Sequence, residues 1–212
     1  GSLDAFDMVM DAYRPFLSYP GAFVLGSNDY YSPIPKPWTR YLMRSTPPPA
    51  RVVPDLPYLP MVRQMRDAGW VDLSNASGTL SLPGGTVSLL GTDDAHIFRD
   101  RMVAPASSWE EPGALRLGIT HAPYTRVVSA LTSEGADLIL AGHTHGGQIG
   151  IPGMGAIITN CDIARHYAKG LNRWEAPDGS QAWLHVSAGL GTSPHAKVRI
   201  ATRPEASLIH VH

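Results

Sequence analysis

The sequence predicts a mixed α/β layered domain, and three observations carry that prediction. Short apolar runs at 22–25, 86–90, 115–119 and 137–141 each end abruptly in a polar turn. Between some of them lie segments with apolar residues at three- and four-residue spacing, the period of an amphipathic helix. Residues 79–90 and 174–186 instead turn on glycine-containing tight turns and read as antiparallel hairpins. Helical crossovers together with hairpins argue for a mixed sheet rather than a purely parallel one.

Residues 3–19 place Leu3, Phe6, Met10, Tyr13 and Leu17 on one helical face, and Pro20-Gly21 breaks the pattern. Residues 22–25 form a buried strand that runs into the polar turn Gly26-Ser27-Asn28-Asp29-Tyr30-Tyr31. A proline-dense connection follows from Pro33 to Pro60, with Trp38, Tyr41 and Leu42 suggesting one packed helical turn; so long a loop is either a rigid surface wrap or a substrate lid. Helical spacing resumes over 56–68 and stops at Gly69, and 70–73 is a strand. The first hairpin then leads to Gly91-Thr92-Asp93-Asp94-Ala95-His96. A strand over 115–119 stops at Thr120-His121, a helix spans 125–132, and Gly135 ends it. After the strand at 137–141 come a glycine-broken stretch, the second hairpin, a loop at 187–191, and closing strands at 198–201 and 207–211.

Composition narrows the function classes. A chain of 212 residues reads as one domain and needs no disulfide to stabilise its core. Its single cysteine, Cys161, excludes an internal disulfide and fits a reducing compartment. A net charge of −1 gives no electrostatic case for nucleic acid or an acidic membrane. No apolar run approaches the ~20 residues of a membrane span, and the opening residues do not read as a signal peptide. The reading is cytoplasmic, or membrane-associated should a segment before Gly1 carry an anchor; the oligomeric state is open.

The chemistry concentrates at Gly142-His143-Thr144-His145-Gly146-Gly147-Gln148. Two imidazoles one residue apart, on a glycine-rich turn after a buried strand, are suited to metal ligation. In open α/β sheets ligands sit beyond the carboxyl ends of strands, and three such ends carry metal-capable residues: Asn28, His121, and His143 with His145. Imidazole suits zinc, iron, manganese or nickel. With no usable cysteine in the set, a closed structural zinc site is not expected.

These residues resemble the blocks of the calcineurin-like metallophosphoesterases, particularly their bacterial branch. Gly26-Ser27-Asn28-Asp29 resembles the family's Gly-Asn-His-Asp/Glu block, Gly118-Ile119-Thr120-His121 its lone histidine after a strand, and Gly142-His143-Thr144-His145 its Gly-His-x-His block. Ser187–Thr192 and Arg203-Pro204-Glu205 also look like that branch. The Asp-x-His and Gly-Asp-x-x-Asp blocks are absent; in the family they lie upstream and supply most ligands of one metal and the carboxylate bridging both. The resemblance therefore implies a layered mixed β-sandwich flanked by helices and lacking its first strands, with residues 1–212 as a domain truncated at its amino end. It implies two divalent ions (manganese, iron, zinc or nickel) in the intact protein, with His121 and His143 serving one and His145 the other. Alignment without a gap puts Ser27 at the asparagine ligand, whereas Asn28 has the better donor oxygen and is the preferred ligand. The general acid is unassigned.

The implied activity is hydrolysis of a phosphomonoester or phosphodiester by a metal-bridged hydroxide, with only part of the dinuclear site in this chain. The alternatives are a non-catalytic fragment or degenerate metal-binding module, and a mononuclear histidine-metal hydrolase. Asp93, Asp94 and His96 could line the cleft or merely cap a turn. Tyr30, Tyr31 and Tyr124 could meet substrate or pack, and Arg165 and Lys169 could meet a phosphate. His166, His185 and His195 lack a matching context.

Overall fold

A computed structural model describes residues 3–33, 53–152, 155–192 and 198–211. Trp38, Tyr41, Leu42 and His195 lie outside the described residues. The chain begins with helix α1 (Leu3–Tyr13), strand β1 (Ala22–Phe23) and the one-turn helix α2 (Ser27–Tyr30). Helix α3 (Leu59–Asp67) precedes β2 (Val71–Asp72) and the hairpin β3 (Ala76–Leu82) and β4 (Gly85–Thr92). Then come β5 (Leu115–Thr120), α4 (Thr125–Ser133), β6 (Leu138–Ala141), the small pair β7 (Gly150–Ile151) and β8 (Gly155–Ala156), and the hairpin β9 (Gly170–Glu175) and β10 (Gln181–Val186). No helix among the described residues is long and apolar enough to cross a membrane.

Six strands form one mixed sheet in the order β3-β4-β5-β6-β10-β9. The four central strands are parallel and the outer hairpins supply antiparallel edges. This is the predicted mixed α/β layer. The register aligns Thr92 with Thr120, Thr120 with Ala141, and Ala141 with Val186, so four parallel strands end at one level. Everything that follows those ends is brought to one rim.

Each face of the sheet has its own cover. Helix α4 buries Val127, Val128 and Leu131 against Leu90, Ile139, Leu184 and Val186. Gly118 permits that approach: a Cβ there would stand 3.2 Å from Ile139 and 3.3 Å from Leu131. On the opposite face the parallel pair β1-β2 crosses the β3-β4 hairpin. A Cβ on Gly78 would fall 2.7 Å from Val71, and one on Gly91 2.5 Å from the carbonyl oxygen of Leu73. Met10, Phe23, Leu25, Tyr30, Met61, Val62 and Met65 form the core of this second layer. Beyond β4 the same face continues through Leu117, Ile119, Leu140 and Trp183, which the described residues only half cover.

Three sequence expectations need correction. The first helix stops at Tyr13 rather than continuing to residue 19. Pro15 lacks an N–H and disfavours helical geometry at Arg14, so the chain proceeds in turns, with the Phe16 and Leu17 amides donating to the Tyr13 carbonyl. The second helix starts at Leu59, not 56, with Pro60 in its first turn, where a missing N–H costs nothing. No strand forms over 198–211 among the described residues; a single bridge joins Ile149 to Ile200. The tail is held by side chains instead. The Glu205 carboxylate accepts from Ala188 N, Ser207 pairs with the His185 ring, and Leu208 remains 83% exposed.

Candidate metal centre

The level strand ends place His121 immediately after β5 and His143 two residues beyond the end of β6. The Gly142 amide donates to the His121 carbonyl at 3.0 Å and so continues the pairing of those strands past their ends. The rings meet there: His143 Nδ1 lies 3.3 Å from His121 Nε2, and the ring centroids are 5.1 Å apart. His143 Nε2 lies 3.3 Å from the Asn160 carbonyl oxygen. Burial drives the His143 pKa well below its ordinary 6.5, and the neighbouring His121 and His96 charges push the same way. A neutral His143 that donates from Nε2 to Asn160 leaves the Nδ1 lone pair facing His121.

His145 occupies the same loop by a different route. Residues His145–Gly147 form a single 3-10 turn whose cap is Thr144. The Thr144 hydroxyl donates to the Ala168 carbonyl at 2.7 Å and accepts from the Gly146 amide at 3.2 Å. The His145 carbonyl accepts from Gln148 N and from Arg199 Nη1. Burial lowers the His145 pKa to about 4, aided by the Arg199 and His121 charges and opposed by a bond to the Gly191 backbone. No hydrogen bond or ring contact among the described residues joins His145 to His121 or His143. The turn is tighter than its glycines suggest, because His143, His145 and Gln148 also take positive φ, at 64°, 51° and 50°.

The Gly26 block sits against His121. A Cβ on Gly26 would come 2.6–2.8 Å from three atoms of the His121 ring, so the glycine is required by that stacking. Asp29 reaches back to accept from Gly26 N at 2.8 Å, which fixes the start of α2. Burial raises the Asp29 pKa, while the Gly26 amide and His121 pull it down. The residue of this block whose charge interacts with His121 is therefore Asp29. Ser27 is half-buried, and Asn28 is exposed with no hydrogen bond among the described residues.

The end of β4 contributes a third side. Asp93 is structural: it accepts from Tyr30 Oη at 2.9 Å, from its neighbour's amide, and from Arg99 Nε at 2.8 Å. Asp94 is fully buried; Oδ1 accepts from His96 N, while Oδ2 has no hydrogen-bond partner among the described residues. His96 bonds through Nδ1 to Tyr124 Oη at 2.9 Å, and its ring stands 4.5 Å from that of His143. Burial raises the Tyr124 pKa above the ordinary phenol value. Arg199 is the residue sequence reasoning missed: it lay in a supposed closing strand, where nothing local marks its role.

Among the described residues, no group of three His, Cys, Asp or Glu side chains stands close enough to hold a metal ion. The donors are of the right chemistry and gathered on one rim, but not drawn together into a closed set.

No family model and no solved structure matches the chain. Two curated relatives do. The chain is 28% identical to "Phosphodiesterase YaeI" of Escherichia coli (strain K12) over 147 residues, which cover 69% of this chain and 49% of that protein. It is 26% identical to "Uncharacterized metallophosphoesterase YkoQ" of Bacillus subtilis (strain 168), over 68% of this chain and 50% of that one. The chain thus spans about half the length of the curated relatives it matches.

Proposed function

We propose that this chain, whose relatives support a bacterial metallophosphoesterase family, forms one wall of a divalent-metal-dependent phosphoester hydrolase site. The observation that carries the reading is the His121–His143 pair. Two ring nitrogens at 3.3 Å, one of them on an imidazole held neutral by burial, offer adjacent lone pairs. Nitrogens bound tetrahedrally at 2.0–2.1 Å from one zinc lie about 3.4 Å apart, so the pair has the spacing of two ligands on one ion. The orphaned Asp94 Oδ2, buried near the same rim, is a carboxylate oxygen in want of a cation or donor.

The proposed ligands are His121, His143, His145 and Asn28. The first two would share an ion, and His145 would serve a second. Asn28 joins the set by turning its exposed side chain from the first turn of α2, with Ser27 the alternative oxygen. When bound, divalent ions of the manganese, iron, zinc or nickel type supply charge neutralisation at the phosphate and a water acidified towards ~7. The chain's own residues do the positioning. Asn160 and the left-handed backbone fix the His143 ring. Tyr124 stays a neutral phenol and orients the His96 ring beside His143 through Nδ1. The name of the YaeI relative favours a phosphodiester over a monoester as substrate.

A second reading is a metal-binding module without turnover: the chain spans about half the length of the relatives it matches, so a complete site need not lie within it. One experiment separates the readings. Manganese or zinc is titrated into this chain and into the longest natural chain carrying it, and hydrolysis of bis(p-nitrophenyl) phosphate is followed with and without chelator. We expect this chain to bind one ion weakly with little turnover. The longer chain should hydrolyse in a metal-dependent manner that His143→Ala abolishes. Binding without turnover in the longer chain would establish the module, and no binding in either would overturn the metal centre.

A further inference from the structure

A second cleft of about 500 Å³ opens beside the histidine loop and shares only Gly146 with it. Its other walls come from Gly155, from Arg165, His166 and Lys169 on the turn after Ala164, and from Thr202 of the tail. The volume falls within the range of small-ligand sites. Three of the side chains that line it are basic or can become so, and none is acidic.

The three are not equivalent. Lys169 is paired with Glu205 at 3.1 Å, which restrains the ammonium. His166 packs against Tyr167 with centroids 4.0 Å apart and the rings tilted by 42°. Arg165 is exposed and makes no ion pair among the described residues. The glycine wall leaves room: a Cβ on Gly155 would meet nothing within 4 Å. An exposed guanidinium and an ammonium lining one cleft with no carboxylate among its lining residues are suited to a planar or tetrahedral oxyanion, and the guanidinium fork can take two of its oxygens at once.

We propose that this cleft binds a phosphate group, with Arg165 as its principal contact and Lys169 and His166 as flanking donors. The site is separate from the histidine centre and needs neither metal nor turnover there. It is also mechanically joined to that centre. The Ala168 carbonyl holds the Thr144 hydroxyl, and the Thr202 hydroxyl donates to the Gly146 carbonyl, so an occupant leans on the loop that carries His143 and His145.

The test is a titration of inorganic pyrophosphate into metal-free protein in chelator, followed by backbone amide shifts, with citrate as the carboxylate control. Saturable shifts are expected at Gly146, Gly155 and Lys169. Arg165→Glu should weaken binding by at least about tenfold, as expected for the loss of a charge-assisted double contact. Arg165→Lys, which keeps the charge but loses the fork, should bind more weakly than the parent and more tightly than Arg165→Glu. Both replacements are at an exposed position, and an unchanged amide spectrum away from the cleft verifies the fold. Shifts confined to residues around His121, equal binding by Arg165→Glu, or citrate binding as tightly as pyrophosphate would each overturn the proposal. Because metal is absent, a failure of the hydrolase reading leaves this result untouched, and the converse also holds.

Discussion

Removing one oxygen atom, in Tyr30→Phe, tests how the Gly26 block is tied to the sheet. Tyr30 is 2% exposed, and its hydroxyl donates to Asp93 Oδ1 across 63 residues of sequence. Arg99 bonds the other carboxylate oxygen and lies over the Tyr30 ring at 4.2 Å, while Tyr58 packs edge-on at 4.8 Å. The substitution keeps the ring, both ring contacts and the Arg99–Asp93 pair. It removes one hydrogen bond to a charged acceptor, worth about 1.5–3 kcal/mol. Asp93 Oδ1 still accepts from Asp94 N, and the phenyl ring is easier to bury, so the lower part of that range applies. We expect a loss of about 1.5–2 kcal/mol in urea unfolding, or roughly 3–8 °C in Tm for a chain of this size. Truncation to alanine would add the packing loss and cost about 3–5 kcal/mol. A Tyr30→Phe protein within about 0.5 kcal/mol of the parent, the scatter of neutral substitutions, would refute the tie.

The stacking of His121 on Gly26 predicts that Gly26→Ala displaces the ring, since φ at Gly26 is an ordinary −112° and only the Cβ collides. Divalent-metal affinity by calorimetry should fall by about 10–100-fold, the usual cost of disturbing a ligand's support; unchanged affinity would take His121 out of the site. Gly146→Ala meets Thr202 at 2.5 Å and Ala188 at 3.1 Å with φ at 64°, so it should cost about 1–3 kcal/mol, and a neutral result would mean the loop is free to relax. Stability of the metal-free chain should also depend on pH. His143 and His145 are held well below 6.5 and at about 4 in the folded state, whereas unfolding returns both to ~6.5. The unfolded state then binds more protons between about 4 and 6.5, so stability is complete above that window and falls on acidification through it. Urea midpoints measured from pH 7.5 to 4.5 should decline, less steeply in His145→Gln; a flat profile in the parent would contradict buried neutral rings.

Much of this was legible in the sequence because strands announce their ends. The run before His121 and the run before Gly142 are parallel neighbours in register, so reading both as buried strands was enough to bring the two histidines to one rim. The hairpins at both sheet edges were equally plain, since each turns on glycine. The tail was not. Alternating residues over 207–211 satisfy a strand pattern, but a pattern specifies a strand only where a neighbouring edge pairs with it. Ser207 and Glu205 instead bond to His185 and Ala188 through side chains. Asp93 and Asp94 illustrate a different limit. They are adjacent and chemically identical, yet one is saturated by Tyr30, Arg99 and a backbone amide, while the other keeps an unpartnered oxygen. Composition at a strand end cannot separate a structural carboxylate from an available one.

The histidine loop shows why the site's geometry exceeds its motif. Its glycines look sufficient to absorb the turn, yet His143 and His145 are themselves left-handed, a conformation that costs an ordinary residue roughly 1–2 kcal/mol. Strain of that size persists only where surrounding structure imposes it. Here the imposing contacts are remote in sequence. Ala168 anchors Thr144 between the two histidines, Asn160 faces the His143 ring, Thr202 bonds to Gly146, and Arg199 pins the His145 carbonyl. Arg199 also donates to the carbonyls of Ala188, Gly189 and Gly191, binding the loop after β10 to the loop after β6. The aim of each imidazole is thus set by residues 17 to 56 positions away, and Arg199→Met should loosen His145, read as a loss of divalent-metal affinity in calorimetry; unchanged affinity would mean the loop holds its own shape. A ligand loop whose shape is held from outside is sensitive to a distant arginine as well as to its own glycines.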